Sequence, residues 1–455
     1  MFSSHTTDWR SNLEHEQSVR EGRLHFLAPQ EKKALLVGTY LETDAKPQTI
    51  EQLEELESLG HTYGLKTVLK LPCPVREFNA GTFLGKGKVE EIRLLAIEHH
   101  CDIVIFDDEI SPQQQRNLEK IFERVVIDRT ELILGVFAQR AQTREAKLQI
   151  ELASVRYQMP RLRRLWTHLS RQRTGGAGGG HLKGEGEKQI EIDRQILKHK
   201  INQIQKEIEQ VKKHRQTQRR ERERTGIPTF AIIGYTNVGK STLMNALTAA
   251  DVLVEDKLFA TLDTTTRKYV LSNKQAILLI DTVGFIRKIP HQLVAAFKST
   301  LEEAVSADIL LHLIDVSNPV APAQAEATLE ILKELGASKR PMITVLNKID
   351  QCKHRLEIDR LRFKYPKTAE ISALKKTGFD RLLELMIREI ALLRKTVHLR
   401  VPQSEYASLS EVMRDGKVIN REYEENDILL EVEIPAHLER KVAHYEVAVV
   451  NTDES

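Results

Sequence analysis

The stretch Phe230-Ala231-Ile232-Ile233-Gly234-Tyr235-Thr236-Asn237-Val238-Gly239-Lys240-Ser241 decides the fold. Four apolar residues run into a Gly-x4-Gly-Lys-Ser loop, and Thr242-Leu243-Met244-Asn245-Ala246-Leu247 follows with helical character. That context, strand then loop then helix, is what a P-loop requires. Gly234 and Gly239 let successive backbone N–H groups turn inward around an anion, and the helix N-terminus adds partial positive charge. Lys240 is set to reach the β- and γ-phosphates. The Ser241 hydroxyl suits Mg2+, a hard ion that takes oxygen ligands.

Outward from this loop, the other parts of a guanine-nucleotide site follow in order. The apolar strand Ala276–Ile280 ends in Asp281-Thr282-Val283-Gly284. There Asp281 can hold a Mg2+-bound water, and the Gly284 N–H can meet the γ-phosphate. Between the two lies Phe259-Ala260-Thr261-Leu262-Asp263-Thr264-Thr265-Thr266-Arg267, and one of its threonines would complete the Mg2+ shell. A strand over Met342–Leu346 leads into Asn347-Lys348-Ile349-Asp350. The Asp350 carboxylate can accept the N1–H and N2–H2 of guanine, which adenine does not offer, so GTP is expected rather than ATP. Ser372, Ala373 and Leu374 would back the guanine O6 from the main chain. The alternation of strand and helix predicts an α/β P-loop GTPase domain over residues 226–395.

Before it, residues 1–142 read as a small α/β domain with a mainly parallel sheet. Strands are expected at Ala34–Gly38, Lys66–Lys70, Cys101–Phe106 and Val125–Ile127. Helices fall between them, one opened by Ser111-Pro112. Residues 143–225 change texture. Leu148, Leu152, Val155 and Met159 share one helix face, and Leu197, Ile201, Ile204, Ile208 and Val211 form a heptad seam. The pairing predicts an antiparallel helical hairpin, either a plain spacer or an arm with a job. Its tip carries Gly175-Gly176-Ala177-Gly178-Gly179-Gly180, and Arg156–Arg173 holds six arginines with no acid. Arginine forks suit phosphates and glycine admits close backbone approach, so Arg161, Arg163, Arg164, Arg171 and Arg173 are candidate RNA contacts. Residues 396–455 predict a small C-terminal α/β appendage, with strands at Val397–Val401 and Ile428–Ile434 and helices at Tyr406–Met413 and His437–His444.

Composition sets the outer limits. Among 455 residues, 68 Lys+Arg stand against 65 Asp+Glu, a net +3, which excludes a uniformly basic or acidic protein but not local segregation. The acidic Asp107-Asp108-Glu109 reads as one patch of opposite sign to the arginine tract. Cys73, Cys101 and Cys352 form no CxxC pair, which argues against a disulfide framework or a cysteine zinc site. Met1–Arg23 is polar and is not read as a signal peptide, and no apolar run is long enough to span a bilayer. A cytoplasmic protein follows, part of it potentially at a membrane surface, with no integral membrane partner.

Beyond the GTPase segment the sequence resembles the HflX family. The match rests on Phe83-Leu84-Gly85-Lys86-Gly87-Lys88-Val89-Glu90, Phe106-Asp107-Asp108-Glu109, Gln113-Gln114-Gln115-Arg116-Asn117-Leu118, Val126-Ile127-Asp128-Arg129-Thr130, Phe137-Ala138-Gln139-Arg140-Ala141 and Thr143-Arg144-Glu145. The resemblance implies a GTPase that binds the large ribosomal subunit and its rRNA, in rescue, splitting or assembly, and that is a monomer off the ribosome. It implies that the hairpin tip reaches rRNA near the peptidyl-transferase region. It selects Thr261 as the Mg2+-binding switch threonine, joining Ser241 and Asp281, and sets aside Thr264–Thr266. Lys240, Thr261 and Gly284 become the catalytic set. Phe285 stands where a Ras-like enzyme has a water-orienting Gln, so hydrolysis by the isolated protein is expected to be slow. Asn237 matches a P-loop Asn that binds K+ in related GTPases. One departure is Gly184-Glu185-Gly186-Glu187-Lys188-Gln189, where the family usually has Gly-Pro-Gly-Glu-Thr-Gln.

Two other functional classes have weaker support in the sequence. A nucleotide-dependent RNA remodeller would need a second, ATP-binding site in the N-terminal domain, but Gly85-Lys86-Gly87-Lys88 is a basic loop and not a Walker motif. A membrane-associated signalling GTPase would need a lipidation motif or a membrane span.

Overall fold

In the computed structural model the described residues are 32–161, 182–248, 258–259, 264–288, 306–352, 355–405, 412–413, 416–424 and 426–447. They form two compact units. The first takes the chain through residue 212 together with 258–259, 264 and 283–288, and the second takes 213–248, 265–282 and 306 onward.

The first unit begins with β1 (Lys33–Tyr40), α1 (Lys46–Tyr63), β2 (Lys66–Pro74), α2 (Lys86–Glu98), β3 (Ile103–Phe106), α3 (Pro112–Phe122), β4 (Val125–Asp128) and α4 (Arg129–Arg140). The strands form one sheet in the order β2-β1-β3-β4, every pairing parallel. β1 and β3 are continuous apolar runs because helices cover both of their faces. Leu35, Val37, Val104 and Phe106 share a core with Val89 and Ile92 of α2 and Leu118 of α3. α1 lies along β1 and β2 and packs on α4. The capping box expected at Ser111 is present: its hydroxyl accepts the Gln114 N–H, and the Gln114 side chain returns to the Ser111 N–H. The chain adds β2 on one side of β1 and then β3 and β4 on the other. The strand order therefore reverses between the carboxyl ends of β1 and β3. Asp107 sits at that point, its N–H donating to the Val37 carbonyl at 2.9 Å.

The hairpin follows in α5 (Arg144–Gln158) and α6 (Leu182–Thr225). Leu148 and Leu152 pack with Ile204 and Ile208, while Val155 packs with Leu197. Rising numbers on one helix meet falling numbers on the other, which is the antiparallel pairing the seam predicts. Arg144–Glu207 at 3.0 Å and Lys200–Glu151 at 2.8 Å flank it.

The second unit contains β5 (Thr229–Gly234), α7 (Lys240–Thr248), β6 (Thr265–Val270), β7 (Ala276–Asp281), β8 (Ile309–Asp315), α8 (Ala321–Glu334), β9 (Met342–Asn347), α9 (Arg355–Lys364), β10 (Thr368–Glu370) and α10 (Phe379–Leu392). Its six-stranded sheet runs β10-β9-β8-β5-β7-β6. All neighbours are parallel except β6, which pairs antiparallel with β7 from Thr265↔Asp281 to Val270↔Ala276. The C-terminal segment forms β11 (Arg394–Pro402), β12 (Lys417–Glu424), β13 (Asp427–Pro435) and α11 (Ala436–Val442), an antiparallel β11-β13-β12 sheet with its own apolar core. β12 is absent from the sequence reading. A register shift between Val418 and Asn420 breaks the period of two that would have announced it. The helix expected over Tyr406–Met413 lies outside the described residues save for 412–413.

Candidate nucleotide-binding site

The buried strand β5 delivers its last residue to a tight loop, and α7 takes the chain away from it. Gly234 must be glycine, since a Cβ there would lie 2.5 Å from the Leu313 carbonyl oxygen. Gly239 has φ of +93°, and a Cβ would meet Asn347 Nδ2 at 2.5 Å. Between them Tyr235, Thr236 and Val238 are buried, and Asn237 takes a left-handed turn at φ +59°. The Thr236 hydroxyl is buried without a hydrogen-bond partner among the described residues. A hydroxyl so placed beside a nest of N–H groups is the kind of donor a phosphate oxygen satisfies. Lys240 is buried too, its Nζ donating to the carbonyls of Tyr235 at 2.7 Å and Gly234 at 3.3 Å. Burial pushes its pKa down to about 8, against the opposing pull of Asp281. Ser241, with Thr242 at the start of α7, donates from Oγ to Asp281 Oδ2 at 2.7 Å. Hydroxyl and carboxylate thus converge, an oxygen set of the kind Mg2+ takes.

Asp281 ends β7, and Thr282 is buried with its hydroxyl donating to the Ile232 carbonyl at 2.7 Å. The Thr282 hydroxyl thus acts as a strut between β7 and β5. Asn347 has a similar office. Its Nδ2 donates to the Val238 carbonyl at 2.7 Å, and its Oδ1 accepts the Ala373 N–H at 2.9 Å. One side chain so ties the phosphate loop to the loop expected at the guanine. Lys348 takes φ +63° and pairs with Asp315 at 2.7 Å. Asp350 is held below the ordinary carboxylate range by the Ser372 hydroxyl, with Lys375 adding to it. The Ile349 N–H donates to the Ile371 carbonyl at 3.3 Å, and Lys375 pairs with Asp350 at 3.6 Å, so the two loops are laced together. Ser372 and Ala373 are buried and Leu374 is exposed. Asp315, at the carboxyl end of β8, is not among the expected residues but reaches this group through Lys348; a lone acid ending an apolar strand is its signal.

Val283, Gly284 and Phe259 belong to the first unit. Ala260, Thr261, Leu262 and Asp263 lie outside the described residues, as do Arg163, Arg164, Arg171 and Arg173. Phe285 is buried at 1% exposure and offers no polar group to a water. Arg161 corrects an expectation. Rather than facing solvent for RNA, its guanidinium is buried, donating to Asp128 Oδ2 at 3.2 Å and to the Ile110 carbonyl at 2.9 Å. The central charge of that cluster needs a partner and Arg161 is it. Asp107 is a second correction: it is no part of an exposed acidic patch but is buried at 2% exposure and surrounded by cations.

Comparison with known proteins settles the family. Residues 50–138 match the family described as GTP-binding GTPase N-terminal, 140–222 GTP-binding GTPase Middle Region, and 229–348 50S ribosome-binding GTPase. GTPase HflX of Chlamydia pneumoniae is 46% identical over 410 residues, 90% of this chain and 87% of that protein. The chain belongs to the HflX family of GTPases. GTPase HflX of Escherichia coli is 39% identical over 92% of this chain and 97% of its own length. Among solved structures, a GTP-binding protein of Sulfolobus solfataricus in complex with GDP aligns over 79% of this chain and 98% of its own, at 26% identity and a TM-score of 0.42. As an HflX-family enzyme the chain hydrolyses GTP. Among the described residues no helix is long and apolar enough to cross a membrane.

Proposed function

We propose that this GTPase is a nucleotide-dependent switch on the large ribosomal subunit, acting in rescue, splitting or assembly. The observation that carries the nucleotide half is the joining of P-loop and base loop through Asn347, with Asp350 ionised beside Ser372. Gly234–Thr242 would hold the phosphates, and Asn347–Asp350 with Ser372–Leu374 the guanine. Ser241, Asp281 and Thr261 would hold Mg2+, which when bound neutralises charge on the β- and γ-phosphates. Asn237, exposed and left-handed, is the candidate for K+. The 50S ribosome-binding GTPase match and the acid-free arginine tract support the ribosomal half. Arg163, Arg164, Arg171 and Arg173 are the proposed rRNA contacts, on a hairpin reaching from a domain bounded near residue 142 to the GTPase domain near 226.

In the GTP state Thr261 and Gly284 contact the γ-phosphate and its ion; hydrolysis frees both segments and lowers affinity for the subunit. The reading places the protein in the cytoplasm, a monomer off the ribosome. The test is co-sedimentation of the full chain with 50S subunits in GDP, in a non-hydrolysable GTP analogue and without nucleotide. Pelleting should be strongest with the analogue; equal pelleting in all three sinks the switch.

A further inference from the structure

Five residues beyond Thr282, the chain enters a cluster of charge. Arg287 Nε lies 2.6 Å from Glu55 Oε2, and its Nη2 lies 2.8 Å from Asp107 Oδ1 and 3.1 Å from the Gln52 carbonyl. Lys288 reaches Asp108 at 2.6 Å and Asp107 at 3.1 Å. Arg129, fully buried, donates to Asp107 at 2.9 Å, to Glu55 at 3.0 Å and to the Arg287 carbonyl at 3.3 Å. Among the described residues three carboxylates thus meet three cations. Asp107 and Asp108 stand where the strand order reverses, just past the carboxyl end of β3, and Glu55 comes to them from α1. In open α/β sheets that crevice is where ligands are taken. Here it takes a segment of the same chain, by its cationic side chains. Burial raises the Asp107 carboxyl pKa, but Arg129, Arg287 and Lys288 outweigh it and hold the group ionised.

The second nucleotide-sensing segment is seated on the same domain by an independent contact. The Leu258 N–H donates to Thr62 Oγ1 at 3.2 Å, and the Phe259 ring stands edge-on to Phe137 with centroids 4.4 Å apart. Phe259 holds this pose at φ +56°, a conformation that a bulky residue keeps only when its surroundings compel it.

We propose that Asp107 and Glu55 are positioning residues for GTP hydrolysis: they grip Arg287 and Lys288 and so preset the backbone of Gly284. The need is plain, because Phe285 supplies no water-orienting group and the site depends on pre-placed backbone donors. This rests on the reading of Gly284 as a γ-phosphate contact. Neither acid touches the nucleotide; each acts through the segment it holds.

The experiment uses the full chain without ribosomes. Glu55→Gln, Asp108→Asn and Asp107→Asn are compared with the parent for trypsin cleavage after Arg287 and Lys288, and for kcat and KM with GTP. Loosening the grip should speed cleavage at both sites several-fold. It should lower kcat about tenfold, the scale of a small misplacement at a reacting centre, with KM little changed. Glu55→Asp should recover part of the kcat. Asp107→Asn strips the buried cations of their main partner; should it not fold, the Glu55 and Asp108 variants, at less fully buried positions, decide. Unchanged cleavage and kcat in both overturns the proposal. A rise in kcat overturns it as well, since the cluster would then be a brake. Gly284→Pro, which removes the N–H, tests the underlying reading separately: an undiminished kcat there refutes Gly284 as the contact. Ribosome pelleting bears on neither result.

Discussion

Lys240 shows how one residue's surroundings set a measurable property of the whole site. Its ammonium is buried and its pKa is lowered to about 8, while bound phosphate would restore the charged form. GTP binding should therefore take up a proton above pH 8. The affinity should fall as pH rises from 8 toward 10, approaching tenfold per unit, and be flat between 6 and 7. Calorimetry in buffers of different ionisation enthalpy reads the uptake directly. At Gly239 the forecast is steric. Gly239→Ala forces a Cβ against Asn347 at a positive φ, which costs about 1–3 kcal/mol of backbone strain alone. GTP affinity should drop at least about tenfold, seen by titration with a fluorescent GTP analogue, since 1.4 kcal/mol is a factor of ten. These residues were legible in the sequence because glycine and lysine have narrow physical roles at a phosphate. Thr282 and Asn347 were half legible. Their positions were plain, but nothing in a linear motif says that a hydroxyl or amide serves its own backbone rather than the ligand.

At the scale of elements, the long apolar runs and the heptad seam read correctly because a period of 3.5 or an unbroken buried strand has few alternatives. The join between α4, α5 and β4 did not read so. Asp128 caps α4 by accepting the Glu131 N–H, takes the Tyr157 hydroxyl at 3.0 Å and pairs with Arg161 at 3.2 Å. The residues are 29 and 33 positions apart, and only the folded hairpin root brings them together. Removing the cation by Arg161→Ala leaves a buried carboxylate unpaired and should cost about 3–5 kcal/mol, measured by urea unfolding at pH 7. Burial outweighs Arg161 and raises the Asp128 pKa to about 6. The sign follows. The fold binds the proton more tightly than the unfolded chain does, so this group's contribution is fully present below pH 4 and is lost as pH rises through 6. Urea unfolding from pH 4 to 7 should show that loss in the parent and not in Asp128→Asn. Mildly acid pH, not neutral pH, is then where this group holds the hairpin root most tightly.

Over the whole molecule, a net charge of +3 conceals an acid-free arginine tract at one place and charge-neutralised acids at another. The sequence made Asp107–Glu109 look like a counterweight to that tract. The fold instead pairs Asp107 and Asp108 with Arg287 and Lys288 of the same chain. Arg163→Glu with Arg164→Glu should abolish pelleting with 50S subunits while GTP binding stays intact. Parental pelleting should weaken steeply between 50 and 200 mM salt, as phosphate contacts do.

The antiparallel pairing of β6 with β7 has a mechanical consequence. Thr265 stands opposite Asp281, so the segments that carry Thr261 and Gly284 leave the sheet from the two legs of one hairpin, a single strand spacing apart. Two reins fastened to the same bit cannot be pulled independently. Loss of the γ-phosphate should register in both segments with one time constant, and fluorophores placed on each should relax together after a turnover.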